Sequence, residues 1–366
     1  MSHTQPLLSS YQLGDLELKN RIIMSSLTRL RANNSQLAPT PLMATYYAQR
    51  ATAGLIIAET TWISPKAIGY IHIPGIYTQA QVAGWKLVTD AVHAHGGKIF
   101  LQLTHLGAVS HPDFFEGENP RGASAINPQI PVYTPTGLKE SVTPVPFTKE
   151  EIKETIEDYR KAAVNAKAAG FDGVELHANI YTLIPQFLSA VTNQRTDEYG
   201  GSIENRARLL FEILDVLKQV WDSRRIGVKF TPTAFNPGIL HPDEYTIPTF
   251  QYILDKLNAY VLGYLHWVGP AVDLTGTVVE PMQHHYFRQA RDIYKGTLMA
   301  NGGFTSETAN AIIRDNHADL VSFGTDFIAN PDLVKRLAAN LPLAQPDTAT
   351  FYTGEEKGYT DYPAIK

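Results

Sequence analysis

Polar residues recur where short, apolar, β-rich runs of this chain end. In order they are Ser26 and Thr28, Glu59 and Thr60, Gln102, Thr104 and His105, His177 with Asn179, Lys229 and Thr231, His266, Asn301 and Thr325. Histidine titrates nearest neutrality, so His177 first and His105 second are candidates for a base that moves a proton beside a carbonyl. Tyr181 and Lys229 could stabilise the resulting enolate, with Asn179 orienting the carbonyl. His105 reads equally well as a packed histidine, and Tyr181 as an aromatic wall. Asn301-Gly302-Gly303-Phe304-Thr305 and Phe323-Gly324-Thr325 place glycines whose backbone N–H groups could cradle a phosphate, ordinary strand-to-helix turns being the alternative. No metal is expected: the adjacent His284-His285 cannot supply the i, i+4 spacing of a helical ligand pair.

Positioning such a ring requires many strands ending at one face. Eight candidate strands lie at 21–27, 54–59, 98–103, 173–177, 226–230, 263–267, 297–301 and 320–324. Helical periodicity fills most intervals: Thr148-Lys149-Glu150-Glu151 opens one helix with a capping-box pattern, and 205–220 and 248–257 read as two more. Strands alternating with helices pair in parallel, and eight units over roughly 300 residues predict an α/β fold, a (β/α)₈ barrel of the TIM type. A doubly wound sheet is the runner-up, but no G-x-G-x-x-G follows the first strand. The whole chain, 1–366, is read as one domain. Residues from about 110 to 147, rich in Pro and Gly, form a capping insertion after strand three, and the Tyr-rich tail 348–366 is expected to fold over the same mouth.

Composition excludes more than it nominates. The 366 residues include 31 Lys+Arg and 36 Asp+Glu, a net charge of −5, so no basic field invites nucleic acid or anionic lipid. Zero cysteines remove disulfides, thiolate metal sites and cysteine nucleophiles, and suit a reducing, cytoplasmic setting. The first residues lack a signal-peptide pattern, and no run approaches the ~20 apolar residues of a membrane span.

Several segments together resemble the Old Yellow Enzyme family. They include Asn20-Arg21, Leu27-Thr28-Arg29, Tyr46-Tyr47, Gln49-Arg50, Glu175-Leu176-His177, Gln186-Phe187-Leu188, Asn193 through Ser202, Glu204-Asn205-Arg206, Ala329-Asn330-Pro331-Asp332-Leu333 and Gly358 through Pro363. The resemblance runs from about residue 7 to the end and implies the same barrel. It also implies FMN-dependent reduction of activated C=C bonds with hydride from NAD(P)H. The flavin contacts it implies fall on Thr28, Thr60, Gln102, His177, Lys229, Gly302, Gly303, Gly324 and Thr325.

Departures from the family pattern fall on working positions. The second carbonyl-holding residue of the fourth strand end is Ile180, and the proton-donating Tyr is Thr182, with Tyr181 one place early. Lys229 and Thr325 stand where Arg is expected, Ser26 for Pro, Thr60 for Ala, Thr104 for Trp and Ala108 for Arg. Two lost hydrogen bonds to charged groups would cost about 3–6 kcal/mol, which predicts weak FMN binding or none, with NAD(P)H used only where FMN is held. The resulting expectation is non-redox chemistry, epimerisation or isomerisation by proton transfer next to a carbonyl. An FMN-dependent ene-reductase is the alternative and a non-catalytic binding protein the second. Replacing Trp and Arg by Thr104 and Ala108 predicts a bulky, apolar, carbonyl-bearing small molecule, as in secondary metabolism, walled by Tyr70, Phe114, Phe115, Phe235 and Trp267.

Overall fold

A computed structural model describes residues 5–179, 181–235 and 238–365. Eight parallel strands close into a barrel: β1 (Ile22–Met24), β2 (Leu55–Trp62), β3 (Ile99–Thr104), β4 (Gly173–Ala178), β5 (Ile226–Phe230), β6 (Tyr264–Val268), β7 (Leu298–Asn301) and β8 (Leu320–Phe323). All eight expected strands are present. The first is shorter than expected, ending at Met24, after which Ser25 donates its N–H to the Phe323 carbonyl at the barrel rim. Strands buried on both faces must be apolar throughout, and all eight residues of β2 are buried. The inward residues Ile23, Leu55, Ile57, Phe100, Tyr264, Met299 and Leu320 pack as one layer near the barrel floor. Gly173 and Gly227 make room there: a Cβ would meet the Phe100 ring at 2.5 Å and the Tyr264 ring at 2.2 Å, respectively.

An N-terminal hairpin, Tyr11–Leu13 with Leu16–Leu18, adds Leu13, Leu16 and Leu18 to the same layer and plugs the floor. The sequence reading did not foresee it. Outside the wall, α1 (Lys149–Ala168) carries the expected capping box between Thr148 and Glu151, while α2 (Ile203–Lys218) and α3 (Thr246–Leu257) begin two residues before their predicted starts. No helix among the described residues is long and apolar enough to cross a membrane.

The insertion at 110–147 builds a cap from two short pairs, Arg121–Gly122 with Val145–Pro146 and the hairpin Pro131–Thr134 with Gly137–Glu140. Its base is tied down by Arg195, which donates to the Ala123 and Phe147 carbonyls and pairs with Asp197 at 2.6 Å. The C-terminal tail is held by buried cations. Arg29 donates to the Phe351 and Gly358 carbonyls, Arg31 to Thr350, and Tyr359 stacks on Tyr46 with centroids 4.0 Å apart. Cap and tail therefore both close on the face where the strands end.

Candidate active site

One β-bulge decides which side chains reach that face. β2 pairs Ile57 with Phe100 and then Thr60 with Gln102, so β2 carries one extra residue. The inward set switches from odd to even numbers across it. Thr60 consequently faces the barrel and donates to Gln102 Oε1 at 3.0 Å. Glu59 turns outward and accepts from Tyr47 Oη at 3.1 Å, where burial raises its pKa to about 7.

Below the mouth lies a buried polar layer. Gln102 Nε2 donates to Ser26 Oγ at 2.8 Å and to Glu175 Oε1 at 2.7 Å. The other Glu175 oxygen meets His266 Nδ1 at 2.8 Å, and His266 Nε2 meets Ser322 Oγ at 2.8 Å. Burial alone would raise Glu175, but His266, Lys229 and Gln102 outweigh it and hold the carboxyl below its ordinary value. Lys229 donates to Ser25 Oγ at 3.0 Å and Ser26 Oγ at 3.3 Å. Burial lowers its pKa, with Glu175 opposing. The sequence reading missed Glu175, Ser25 and Ser322 as site residues. Glu175 was detectable, since it precedes His177 by two residues on one strand and so shares its inward face.

Above this layer opens a cavity of about 810 Å³. Thr28, Thr60, His177, Asn179, Tyr181, Thr182 and Thr231 line its polar end. Trp62, Tyr70, Ile73, Leu106, Val109, Ala234, the cap residues Ile130, Val132, Tyr133 and Leu138, and Tyr352 of the tail line the rest. No Asp, Glu, Lys or Arg lines it among the described residues. His177 is neutral there: burial, with Lys229 behind it, pushes its pKa down to about 3. Burial raises Tyr181, so its phenol stays protonated. Trp62 Nε1, Asn179 Oδ1 and Thr231 Oγ1 have no hydrogen-bond partner among the described residues.

The structure thus brings His177, Asn179, Tyr181, Thr28 and Thr60 together around one cavity, with Gln102 and Lys229 buried in the layer beneath. Ile180 lies outside the described residues. Thr182 is committed to the backbone, donating to the Asn179 carbonyl at 2.7 Å. His105 lies elsewhere. Its Nδ1 accepts from the Gly107 N–H at 2.9 Å, its ring packs against Phe147, and burial presses its pKa to about 3 beside a separate cavity at the cap's base. The structure therefore does not bring His105 together with His177 around the cavity, as a shared catalytic part would require. Of the five expected wall aromatics only Tyr70 lines the cavity. Trp267 is inside the helix layer, stacked on Tyr286, and Phe115 lines the separate cavity with His105.

Gly302, Gly303 and Gly324 stand at the ends of β7 and β8. Gly302 and Gly303 have φ of +127° and +69°, a Cβ at Gly303 would meet nothing within 4 Å, and one at Gly324 would meet only a Leu27 methyl at 3.4 Å. Open backbone at two adjacent strand ends suits a phosphate. Thr325 is the first residue of a short helix, Thr325–Ala329, directly after Gly324.

A closed parallel barrel with a charge-free cavity over a buried lysine, and open glycine turns beside it, defines a barrel enzyme built around a small molecule. The chain belongs to the NADH:flavin oxidoreductase / NADH oxidase family, whose model matches residues 6–344. It is 40% identical to 12-oxophytodienoate reductase 1 of Oryza sativa subsp. japonica over 99% of this chain and 93% of that protein. A 12-oxophytodienoate reductase 2 of Arabidopsis thaliana is 37% identical over 99% and 96%. Among solved structures, morphinone reductase in complex with tetrahydroNAD superposes with a TM-score of 0.91 at 44% identity, covering 98% of each chain. The old yellow enzyme homologue from Zymomonas mobilis gives 0.91 at 37% identity, covering 98% of this chain and 99% of that one.

Proposed function

We propose that this protein is an FMN-dependent oxidoreductase that reduces the C=C bond of an α,β-unsaturated carbonyl compound, with NAD(P)H as reductant. The observation that carries the reading is a neutral His177 lining a cavity without charged side chains among the described residues, paired across the sheet with the buried Lys229. The residues fit the flavin better than the substitutions alone suggest. Lys229 keeps an amine at the expected Arg position, its partners are neutral hydroxyls, and no carboxylate among the described residues lies within ion-pair distance of it. Thr28, Thr60, Gln102 and Lys229 would hold the ring and Gly302, Gly303, Gly324 and Thr325 the phosphate. When bound, the flavin supplies the hydride. This chain's residues do the rest: His177 and Asn179 hold the carbonyl oxygen, and the Tyr181 phenol delivers the proton.

The geometry weighs against proton-transfer chemistry without a flavin. A base for enolisation needs a pKa near the working pH. Burial puts His177 at about 3 instead, and His105, also at about 3, lines a different cavity. The cavity's size, its apolar majority and its absence of charged side chains favour a large, uncharged substrate with one carbonyl. Purified protein should carry flavin absorbance near one equivalent and oxidise NAD(P)H when a cyclic enone is added. Flavin-loaded protein that instead exchanges the α-proton of a ketone with solvent, and never oxidises NAD(P)H, would overturn the reading in favour of an isomerase.

A further inference from the structure

We propose that Thr104 is a positioning residue that locks His177 as its Nε2–H tautomer, so that the ring can only donate, never accept, toward the cavity. The consequence for catalysis rests on the reading of His177 as the group that meets the substrate carbonyl; the tautomer itself does not. Three of the departures from the family pattern, Ser26, Thr60 and Thr104, each add a hydroxyl: Ser26 and Thr60 meet at Gln102, and Thr104 meets His177 Nδ1, which Thr60 approaches at 3.4 Å.

The proton directions from Gln102 to Thr60 follow from one acceptor. Glu175, held ionised, has no proton to give, so Gln102 must turn its amide nitrogen toward it. Both Nε2 hydrogens are then spent, on Glu175 and Ser26, and Oε1 faces Thr60. Thr60 has a single proton and gives it to Gln102 Oε1 at 3.0 Å, leaving the longer 3.4 Å approach to His177 Nδ1 without a donor. Thr104 Oγ, fully buried, has one partner among the described residues, His177 Nδ1 at 3.0 Å. If Thr104 donates, every group is satisfied and Nδ1 is the acceptor. If Nδ1 carried the hydrogen, the buried Thr104 proton would have no acceptor at all, a configuration folded proteins avoid. The imidazole hydrogen therefore resides on Nε2, the ring nitrogen left for the cavity that His177 lines.

Long-range ¹H–¹⁵N correlation of the His177 ring tests this, with signals assigned by their loss in His177→Gln. Wild type should show the Nε2–H tautomer in excess of roughly ten to one. In Thr104→Val the Nδ1–H form should appear, because Nδ1–H can now donate to Thr60 Oγ; Thr104→Ser should restore the wild-type ratio. A predominant Nδ1–H form in wild type, or a ratio that Thr104→Val leaves unchanged, overturns the proposal. In parallel, a saturated cyclic ketone should bind Thr104→Val several-fold more weakly than wild type, with affinity regained in Thr104→Ser. Ketone affinity that ignores the tautomer while the ratio shifts as expected leaves the lock standing and removes the carbonyl-holding role of His177, so the two failures are separable.

Discussion

A cavity with no ionised side chain should discriminate against anionic substrates, and one substitution should reverse that. Leu138, on the cap hairpin, lines the cavity and is 56% exposed, so Leu138→Arg places a guanidinium at the mouth without disturbing the core. Two unit charges 4 Å apart attract by about 1 kcal/mol in water and about 4 kcal/mol at an effective dielectric near 20. A site more than half exposed lies in the lower part of that range, at about 1–2 kcal/mol, which is roughly 5- to 30-fold in kcat/KM. The assay compares two cyclic enones with the same head, one bearing a terminal carboxylate and the other its methyl ester. Wild type should prefer the ester by at least about ten-fold, since an unpaired carboxylate entering the cavity surrenders hydration without a partner. Leu138→Arg should raise kcat/KM for the acid by about 5- to 30-fold, leave the ester within about two-fold, and lose the gain at high salt. Equal turnover of acid and ester by wild type would refute the reasoning, because the lining would then not set selectivity.

Further outcomes follow from the same geometry. Lys229→Met removes one charge-assisted contact and should weaken FMN retention by about 10- to 150-fold, read by equilibrium dialysis. Tyr181→Phe should slow enone reduction by about 10²-fold or more while NAD(P)H still reduces the flavin, as separated by stopped-flow half-reactions. Glu175 is held below its ordinary value near 4.5, so its contribution to stability is present above that pH and is lost as pH falls through the lower folded value. Melting temperatures should accordingly show Glu175→Gln less stable than wild type at pH 7, with the gap narrowing below about pH 4.5. Arg29→Met deletes the bonds to the Phe351 and Gly358 carbonyls and should expose residues 348–365 to protease before the barrel is cut.

Local pattern determined the framework of this protein. Parallel barrel strands are apolar along their length, helices reveal their caps, and both signals need only neighbouring residues, so eight βα units and the family were legible. The polar ring at the strand ends was legible for the same reason. Which members of it work together was not, because inward or outward is settled by register against distant strands. One extra residue in β2 turns Thr60 in and Glu59 out, and a backbone N–H from Gly107 claims His105. Pattern also does not show that Ser26 and Thr60 meet at Gln102 while Thr104 meets His177, contacts that exist only once β1, β2 and β3 have closed on β4. The walls of the cavity come from segments as far apart as Trp62 and Tyr352. Sequence alone set the elements; closure of the barrel, a non-local event, decided which side chains share a site.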